Sequence, residues 1–288
     1  MRLQAAVARA DRVARSLIRW ATLRLNYSAH VPVTTAPDLS IVIPTYNERD
    51  RLAELVRALF QASSAAAIDL ELVIVDDNSP DGTGALADEL ARTHQMQVVH
   101  RAGKLGLGTA VVAGFAAAAG ETFGVMDADF SHPPSLVPKM LMAFRATKAD
   151  VLVASRYVPG GSTPDWPFKR RLLSRIGCLL ARGLSPIRDA ASGFFLIRRD
   201  IARGVEIKAG GFKICLELIV RGAPGSLVEL PYRFDDRELG ESKMSMREAS
   251  GYLYQLRDLY LLTWSSPRRR APTYRCLSAG EVDAMSVR

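Results

Sequence analysis

Five short apolar segments, separated by longer stretches with helical periodicity, constrain the fold more than any other feature of the sequence. The segments lie at residues 40–43, 72–75, 97–99, 123–126 and 151–154. Strands that are apolar on both faces and alternate with helices are typical of a mainly parallel sheet covered by helices on both sides. We therefore predict an α/β fold. Because ligands of such sheets bind at the carboxyl ends of the strands, the residues that follow each segment form the candidate site.

Polar residues follow the first three segments. The first leads into residues 44–48 (PTYNE), where Thr45 and Glu48 have the spacing of a capping box for a helix that begins near residue 51. The second leads into residues 76–83 (DDNSPDGT), which suit either ligand binding or an ordinary Asp- and Asn-rich turn. The third leads into a glycine turn that carries one cation, Lys104, but lacks the spacing of a dinucleotide or phosphate-loop motif.

The fourth segment leads to Asp127 and Asp129, which are separated by one residue. In an extended segment, side chains two residues apart point to the same side, so these two carboxylates are expected to share a cation. Mg²⁺ is commonly held by one or two carboxylates together with water and a diphosphate, and carboxylate ligands suit Mn²⁺ as well. The spacing therefore predicts a Mg²⁺ or Mn²⁺ site for a nucleotide substrate.

Basic and hydroxyl residues cluster after the fifth segment. They occur at residues 155–157 (SRY), 169–175 (KRRLLSR) and 237–243 (RELGESK). Arginine forks and lysine ammonium groups are natural partners of phosphate oxygens. Solvated helix faces also carry runs of charge, and that alternative stays open for this cluster.

The net charge of +8 is concentrated at the two ends of the chain. Residues 1–30 hold six Arg and one acid, residues 31–236 hold 23 bases and 23 acids, and residues 237–288 hold nine bases and six acids. A uniformly basic domain would suggest nucleic-acid binding. A neutral body with basic ends instead favours a protein held on an anionic membrane surface, with no nucleic-acid partner.

The chain divides into three predicted parts. Residues 1–30 form a basic amphipathic helix, residues 39–250 the α/β domain, and residues 251–288 an amphipathic interfacial segment with a basic tail. Both terminal parts could instead pack on the domain.

No stretch approaches the ~18–20 apolar residues that span a bilayer, which predicts a peripheral protein. Three widely spaced cysteines indicate neither a disulfide framework nor a zinc site, so a cytoplasmic location is expected, although an organelle transit peptide stays open.

Eight ordered motifs resemble those of family 2 glycosyltransferases with the GT-A fold, and within them the dolichol-phosphate (polyprenyl-phosphate) mannosyltransferase group. They are SIVIPTYNE (40–48), VDDNSPDGT (75–83), KLGLG (104–108), MDADFSHPP (126–134), SRYVPGG (155–161), SGFF (192–195), GFKI (211–214) and RELGESK (237–243). Ser131 stands where many relatives have a glutamine metal ligand, so the third ligand is undetermined. The resemblance covers about residues 39–262.

The resemblance assigns roles to fourteen residues. Residues implied to hold the nucleotide, or to lie next to it, are Pro44, Tyr46, Glu48, Asp76, Asp77 and Lys104. Those implied to bind the diphosphate and its metal are Asp127, Ala128 and Asp129, with the two carboxylates as metal ligands. Five further residues are implied to surround the donor diphosphate and the lipid phosphate: Arg156, Arg170, Ser174, Arg237 and Lys243. Together with Asp129 they form the implied catalytic set.

The resemblance implies inverting transfer of a hexose, with mannose as first choice, from a nucleotide sugar such as GDP-mannose to a polyprenyl phosphate. The implied partners are the donor, the lipid acceptor, an anionic membrane surface on the cytoplasmic side and a membrane-anchoring protein. Three alternatives stay open: a glucosyl- or other hexosyltransferase that uses a UDP-sugar, a transferase with a hydroxyl acceptor, and a non-catalytic binding module.

Overall fold

A computed structural model describes residues 36–207, 213–235, 246–265 and 271–286. Within them the chain forms one eight-stranded sheet in the order β3-β2-β1-β4-β6-β5-β7-β8. The strands are β1 (Leu39–Thr45), β2 (Leu70–Asp76), β3 (Met96–His100), β4 (Thr122–Val125), β5 (Val151–Ser155), β6 (Phe195–Arg198), β7 (Ser226–Pro231) and β8 (Thr273–Cys276). All neighbouring strands are parallel except that β6 runs antiparallel to β4 and β5. The five predicted strands and the mainly parallel sheet are confirmed.

Helices cover both faces of this sheet. They are α1 (Arg49–Ala65), α2 (Thr83–Leu90), α3 (Leu107–Ala117), α4 (Leu136–Thr147), α5 (Phe168–Leu180), α6 (Arg199–Arg203), α7 (Ile214–Gly222), α8 (Met246–Ser265) and α9 (Ala279–Ser286). Helices α1, α2, α4 and α9 contribute to one core cluster, and α3, α6 and α7 contribute to the other. Alternate residues of β1 serve both cores, since Ile41 and Ile43 belong to the first and Val42 to the second.

Close packing at α3 depends on a glycine. A Cβ placed on Gly114 would lie 2.3 Å from Cγ1 of Val42 on β1. Any side chain at this position would therefore push the helix away from the sheet. The alanine- and glycine-rich composition of α3 is thus explained by its close approach to β1.

The segment after residue 250 is integrated into the domain. The predicted boundary at 250 falls inside α8, and β8 extends the sheet by pairing in parallel with β7. Beyond it, α9 packs against α4, where Lys139 contacts Asp283 at 2.6 Å. Among the described residues, no helix is long and apolar enough to cross a membrane. The predicted N-terminal helix at residues 1–30 lies outside the described part of the chain.

The start of α1 differs from the capping-box interpretation. The helix begins at Arg49, and its N-cap residue, Glu48, makes no side-chain cap hydrogen bond. The Thr45 hydroxyl instead donates across the sheet to Asp76, at 3.3 Å. The capping-box interpretation is therefore wrong, because a contact between neighbouring strands takes the hydroxyl that local spacing assigned to the helix.

Candidate active site

The carboxyl ends of β1 and β2 form the first part of the site. Asp76 is buried, and its carboxylate accepts hydrogen bonds from the Ser79 backbone at 3.0 Å and the Ser79 hydroxyl at 2.5 Å. Asp76 therefore shapes the turn after β2, as the Asp- and Asn-rich composition suggested. Asp77 faces a different partner, the Arg101 guanidinium, at 2.7 Å.

Asp77 is a buried carboxyl group with two cations nearby. Burial raises the pKa of its carboxyl group, while the positive charges of Arg101 and Lys104 oppose that rise. The sequence analysis assigned no role to Arg101, although it directly follows β3 and so satisfies the strand-end rule. Arg101 therefore joins the candidate site through its ion pair with Asp77.

Tyr46 and Lys104 contact each other in the first part of the site. The Lys104 ammonium lies 4.4 Å from the centre of the Tyr46 ring, which is the geometry of a cation–π contact. The Tyr46 ring is partly exposed, whereas Pro44 and Glu48 are half-buried. The backbone N–H of Glu48 donates to the Thr83 hydroxyl at 3.0 Å, which ties the loop after β1 to the start of α2. The structure thus pairs Tyr46 with Lys104 and Asp77 with Arg101 at the carboxyl ends of β1, β2 and β3.

The two predicted metal ligands lie just beyond β4. That strand ends at Val125, so Asp127 and Asp129 stand on the loop that follows it and not in the strand itself. The side chain of Asp127 is 42% exposed, whereas Asp129 is 6% exposed. The Ser131 backbone and hydroxyl donate to Oδ1 of Asp129 at 3.1 and 2.6 Å, and Ala128 between the two acids is buried. The carboxylates therefore differ in accessibility, and Ser131 fixes the inner one.

His132 supports the loop that carries Asp127. Its Nδ1 accepts the backbone N–H of Asp127 at 2.9 Å, so the ring proton resides on Nε2, which faces the Asp127 carboxylate at 3.8 Å. Burial lowers the pKa of His132, and the nearby aspartates oppose this shift. The ring also stacks on Phe194 at 4.7 Å. The sequence motif contained this histidine, but nothing in its local spacing revealed that it orients Asp127.

The carboxylate pair fits a hard divalent cation. Asp127 has a partly exposed carboxylate that lies next to Gly193. Oxygen donors from one or two carboxylates, with the remaining ligands from water and a diphosphate, suit Mg²⁺ or Mn²⁺. In the described ranges, no three His, Cys, Asp or Glu side chains converge on one metal position. The oxygen donors of Asp127 and Asp129 suit such a cation chemically, and their role as metal ligands stays a prediction.

Arg156 lies at the carboxyl end of β5 and forms a buried ion pair. Its Nε and Nη2 donate to the two oxygens of Asp189, each at 2.7 Å. Burial disfavours the charge of Arg156, but Asp189 outweighs that effect and raises the pKa of the guanidinium. The sequence analysis missed Asp189, because it is separated from Arg156 by 33 residues and follows no predicted strand.

Aromatic rings and further bases surround this pair and form what we call the basic-aromatic cluster: Arg156, Tyr157, Trp166, Arg170, Ser174 and Arg175. The guanidinium carbon of Arg156 lies 5.1 Å from the Trp166 ring, and that of Arg170 lies 4.0 Å from the same ring. Burial raises the pKa of Tyr157, and the neighbouring Ser174 hydroxyl opposes that shift. The structure thus brings together three of the predicted phosphate residues. The other two, Arg237 and Lys243, lie outside the described residues.

Comparison with known proteins assigns this chain to a family. The model of the glycosyl transferase family 2 matches residues 40–205. The chain is 40% identical over 231 residues to a dolichol-phosphate mannosyltransferase of Pyrococcus furiosus, covering 78% of this chain and 64% of that protein. It is 39% identical over 235 residues to a polyprenol monophosphomannose synthase of Mycolicibacterium smegmatis, covering 76% and 87%. This chain therefore belongs to glycosyl transferase family 2.

A solved structure agrees with the fold. A mannosyltransferase from Pyrobaculum calidifontis, determined in complex with GDP-Man and Mn²⁺, superposes with a TM-score of 0.57 at 17% identity, covering 93% of this chain and 76% of that one. At this level of identity the likeness shows the GT-A fold alone. The predicted fold class and the prediction of a glycosyltransferase are confirmed, which leaves the non-catalytic binding module unsupported.

Proposed function

We propose that this glycosyltransferase moves mannose from GDP-mannose to the phosphate of a polyprenyl lipid. The observation that carries the proposal is the division of the site. Acidic and aromatic groups at the ends of β1, β2 and β4 suit a nucleotide and its metal, whereas the basic-aromatic cluster beside β5 suits phosphate oxygens. The names of relatives at 39–40% identity support the mannosyl group and the lipid-phosphate acceptor.

The reaction is a single displacement with inversion. An oxygen of the lipid phosphate attacks the anomeric carbon of mannose from the face opposite the diphosphate. The bond between that carbon and the β-phosphate oxygen breaks, and GDP leaves with the electron pair. A phosphate monoester has a second pKa of about 6, so it is mostly ionised at pH 7 and needs no general base.

Metal and basic residues would stabilise different charges. Asp127 and Asp129 would hold Mg²⁺ or Mn²⁺, which offsets the negative charge that develops on the leaving diphosphate. Arg156 and Arg170 would bind phosphate oxygens and reduce the repulsion between the acceptor phosphate and the donor. Both guanidinium groups lie against Trp166, which limits their motion.

The direct test of the function is transfer from labelled GDP-mannose. We expect radioactivity to move into an organic extract when the chain is incubated with polyprenyl phosphate and Mg²⁺ or Mn²⁺. The matched control replaces the acceptor by the corresponding polyprenol, which lacks the phosphate and should take up no label. Faster transfer from UDP-glucose in the same assay would favour the hexosyltransferase alternative, and labelling of a free sugar would favour a hydroxyl acceptor.

We also propose that the enzyme works on the anionic cytoplasmic face of a membrane. Support comes from apolar side chains that α5 and α8 expose to solvent, among them Phe168, Leu173, Leu179, Leu253, Tyr254 and Trp264. The two helices are joined by hydrogen bonds from the Tyr252 hydroxyl to Gly177 and from the Tyr260 hydroxyl to Leu180, at 2.8 and 2.7 Å. Exposed bases lie on or next to the same helices: Lys169, Arg175, Arg182 and Arg257. Apolar and basic groups together suit an anionic bilayer surface.

Vesicle binding tests this docking surface. Leu179→Glu should weaken binding to phosphatidylserine-containing vesicles by about tenfold or more, because burying a leucine is worth about 1.5–3 kcal/mol. The matched control, Gln61→Glu, adds the same charge on the exposed side of α1 and should have little effect. Co-sedimentation at low and high salt measures both, and equal binding of the two variants would contradict docking through α5 and α8.

A further inference from the structure

A buried carboxylate on β7 connects the C-terminal strand to the active site. Glu229 is fully buried and has no place in the proposed reaction. Its Oε2 accepts the Arg188 backbone N–H at 2.8 Å, and its Oε1 accepts the Asp189 backbone N–H at 3.0 Å. A buried charge is stable only when hydrogen bonds replace its lost hydration. Glu229 therefore fixes the backbone of the loop that carries Asp189.

The third hydrogen bond to this carboxylate comes from the last strand. The Tyr274 hydroxyl on β8 donates to Oε2 of Glu229 at 2.7 Å. Burial, followed by the hydrogen bond with Glu229, raises the pKa of Tyr274, so the phenol keeps its proton and remains a donor. β8 holds this hydroxyl in place because it pairs with β7, where Tyr274 lies opposite Leu227.

Asp189 in turn holds Arg156 in position through hydrogen bonds. Besides the two side-chain contacts, Oδ2 of Asp189 accepts the backbone N–H of Arg156 at 2.9 Å. The carboxylate therefore fixes both the backbone and the side chain of that residue. Since the contact uses Nε and Nη2, Nη1 is the guanidinium nitrogen that Asp189 does not hold. A shift of the loop at residue 189 would redirect the whole guanidinium group.

We propose that Tyr274 and Glu229 are positioning residues that act through Asp189 to fix the orientation of Arg156 toward phosphate. This inference rests on the proposed function, in which Arg156 binds phosphate oxygens. The inference gives strand β8, which lies more than 100 residues after Arg156 in the sequence, a positioning role in the reaction. The family match ends at residue 205, well before this strand.

The test compares two hydroxyl deletions on the same strand. Tyr274→Phe removes the hydroxyl that contacts Glu229, and Thr273→Val removes the neighbouring one, which contacts the Gly225 carbonyl instead. We expect Tyr274→Phe to lower kcat for mannosyl transfer by about three- to tenfold, with KM for GDP-mannose changed less than kcat. Thr273→Val should behave as the wild type, and thermal unfolding of both variants shows whether either has lost its fold.

A double-mutant cycle separates positioning from a general structural effect. In an Arg156→Lys background the forked contact with Asp189 is absent, so Tyr274→Phe should change kcat by less than about twofold. An undiminished effect in that background would overturn the inference, because the hydroxyl would then act independently of Arg156. Equal kcat values for Tyr274→Phe and Thr273→Val in the parent background would overturn it too.

Calorimetric titration with pyrophosphate and Mn²⁺ keeps this inference distinct from the proposed function. If the wild type transfers no mannose but Tyr274→Phe binds pyrophosphate more weakly than Thr273→Val does, the proposed function fails and the positioning role stands. If the wild type transfers mannose while both variants match it in kcat and in pyrophosphate affinity, the proposed function stands and the positioning role fails.

Discussion

Replacing Asp127 by asparagine is expected to lower mannosyl transfer by about 10²- to 10³-fold while the fold remains intact. Asp127 is the more exposed of the two carboxylates, so the change removes a charge without burying a new polar group. Asparagine keeps the backbone N–H that His132 accepts, so the loop after β4 should stay in place. The loss of activity would then result from the missing negative charge at the proposed metal site.

Asp69→Asn provides the matched control. Asp69 is an exposed aspartate directly before β2, at the opposite edge of the sheet. Initial rates across a range of Mn²⁺ concentrations should show a large defect for Asp127→Asn and none for Asp69→Asn. If Asp127→Asn retained full activity at every metal concentration, the assignment of this aspartate as a metal ligand would be wrong.

The largest expected effect on stability comes from Asp189→Asn. Removing one partner of a buried ion pair leaves the other charge unpaired and typically costs about 3–5 kcal/mol. The side chains of Arg156 and Asp189 are 8% and 0% exposed, so solvent cannot replace the lost contact. We therefore expect the free energy of unfolding, measured by urea denaturation, to fall by about that amount.

A second forked pair in the same chain isolates the effect of burial. Arg198 donates to Asp200 through Nε and Nη2, at 3.0 and 2.6 Å, but these side chains are 51% and 65% exposed. Exposed pairs contribute about 1 kcal/mol or less, so Asp200→Asn should barely change stability. Similar losses for the two variants would show that burial of the Arg156–Asp189 pair does not dominate its energetics.

The fold was predictable because its main signal is local. The strands of this sheet are buried on both faces, so each appears in the sequence as a short apolar run, and all five predicted strands occur in the structure. The reversed direction of β6 was not predicted, because an apolar run carries no information about strand direction.

The candidate site was predictable only in part, for a related reason. Strand-end position identified Asp77, Asp127 and Arg156, since each follows an apolar run directly or within two residues. The residues that orient them come from elsewhere: Asp189 lies in a loop after α5, and Glu229 is a lone acid within a buried strand. Contacts between distant segments set these partners, and no spacing rule within one segment can reveal them.

The antiparallel strand β6 lies between two halves of the candidate site, and each half comes from a different part of the sequence. Groups on the β1, β2 and β4 side come from residues 44–132, whereas the basic-aromatic cluster and its supports come from residues 155–276. Because β6 runs backwards, the loop that precedes it reaches the same edge as the carboxyl ends of its neighbours, which brings Asp189 to Arg156. The acidic and the basic half of the candidate site are therefore built from consecutive parts of the chain that do not overlap in sequence.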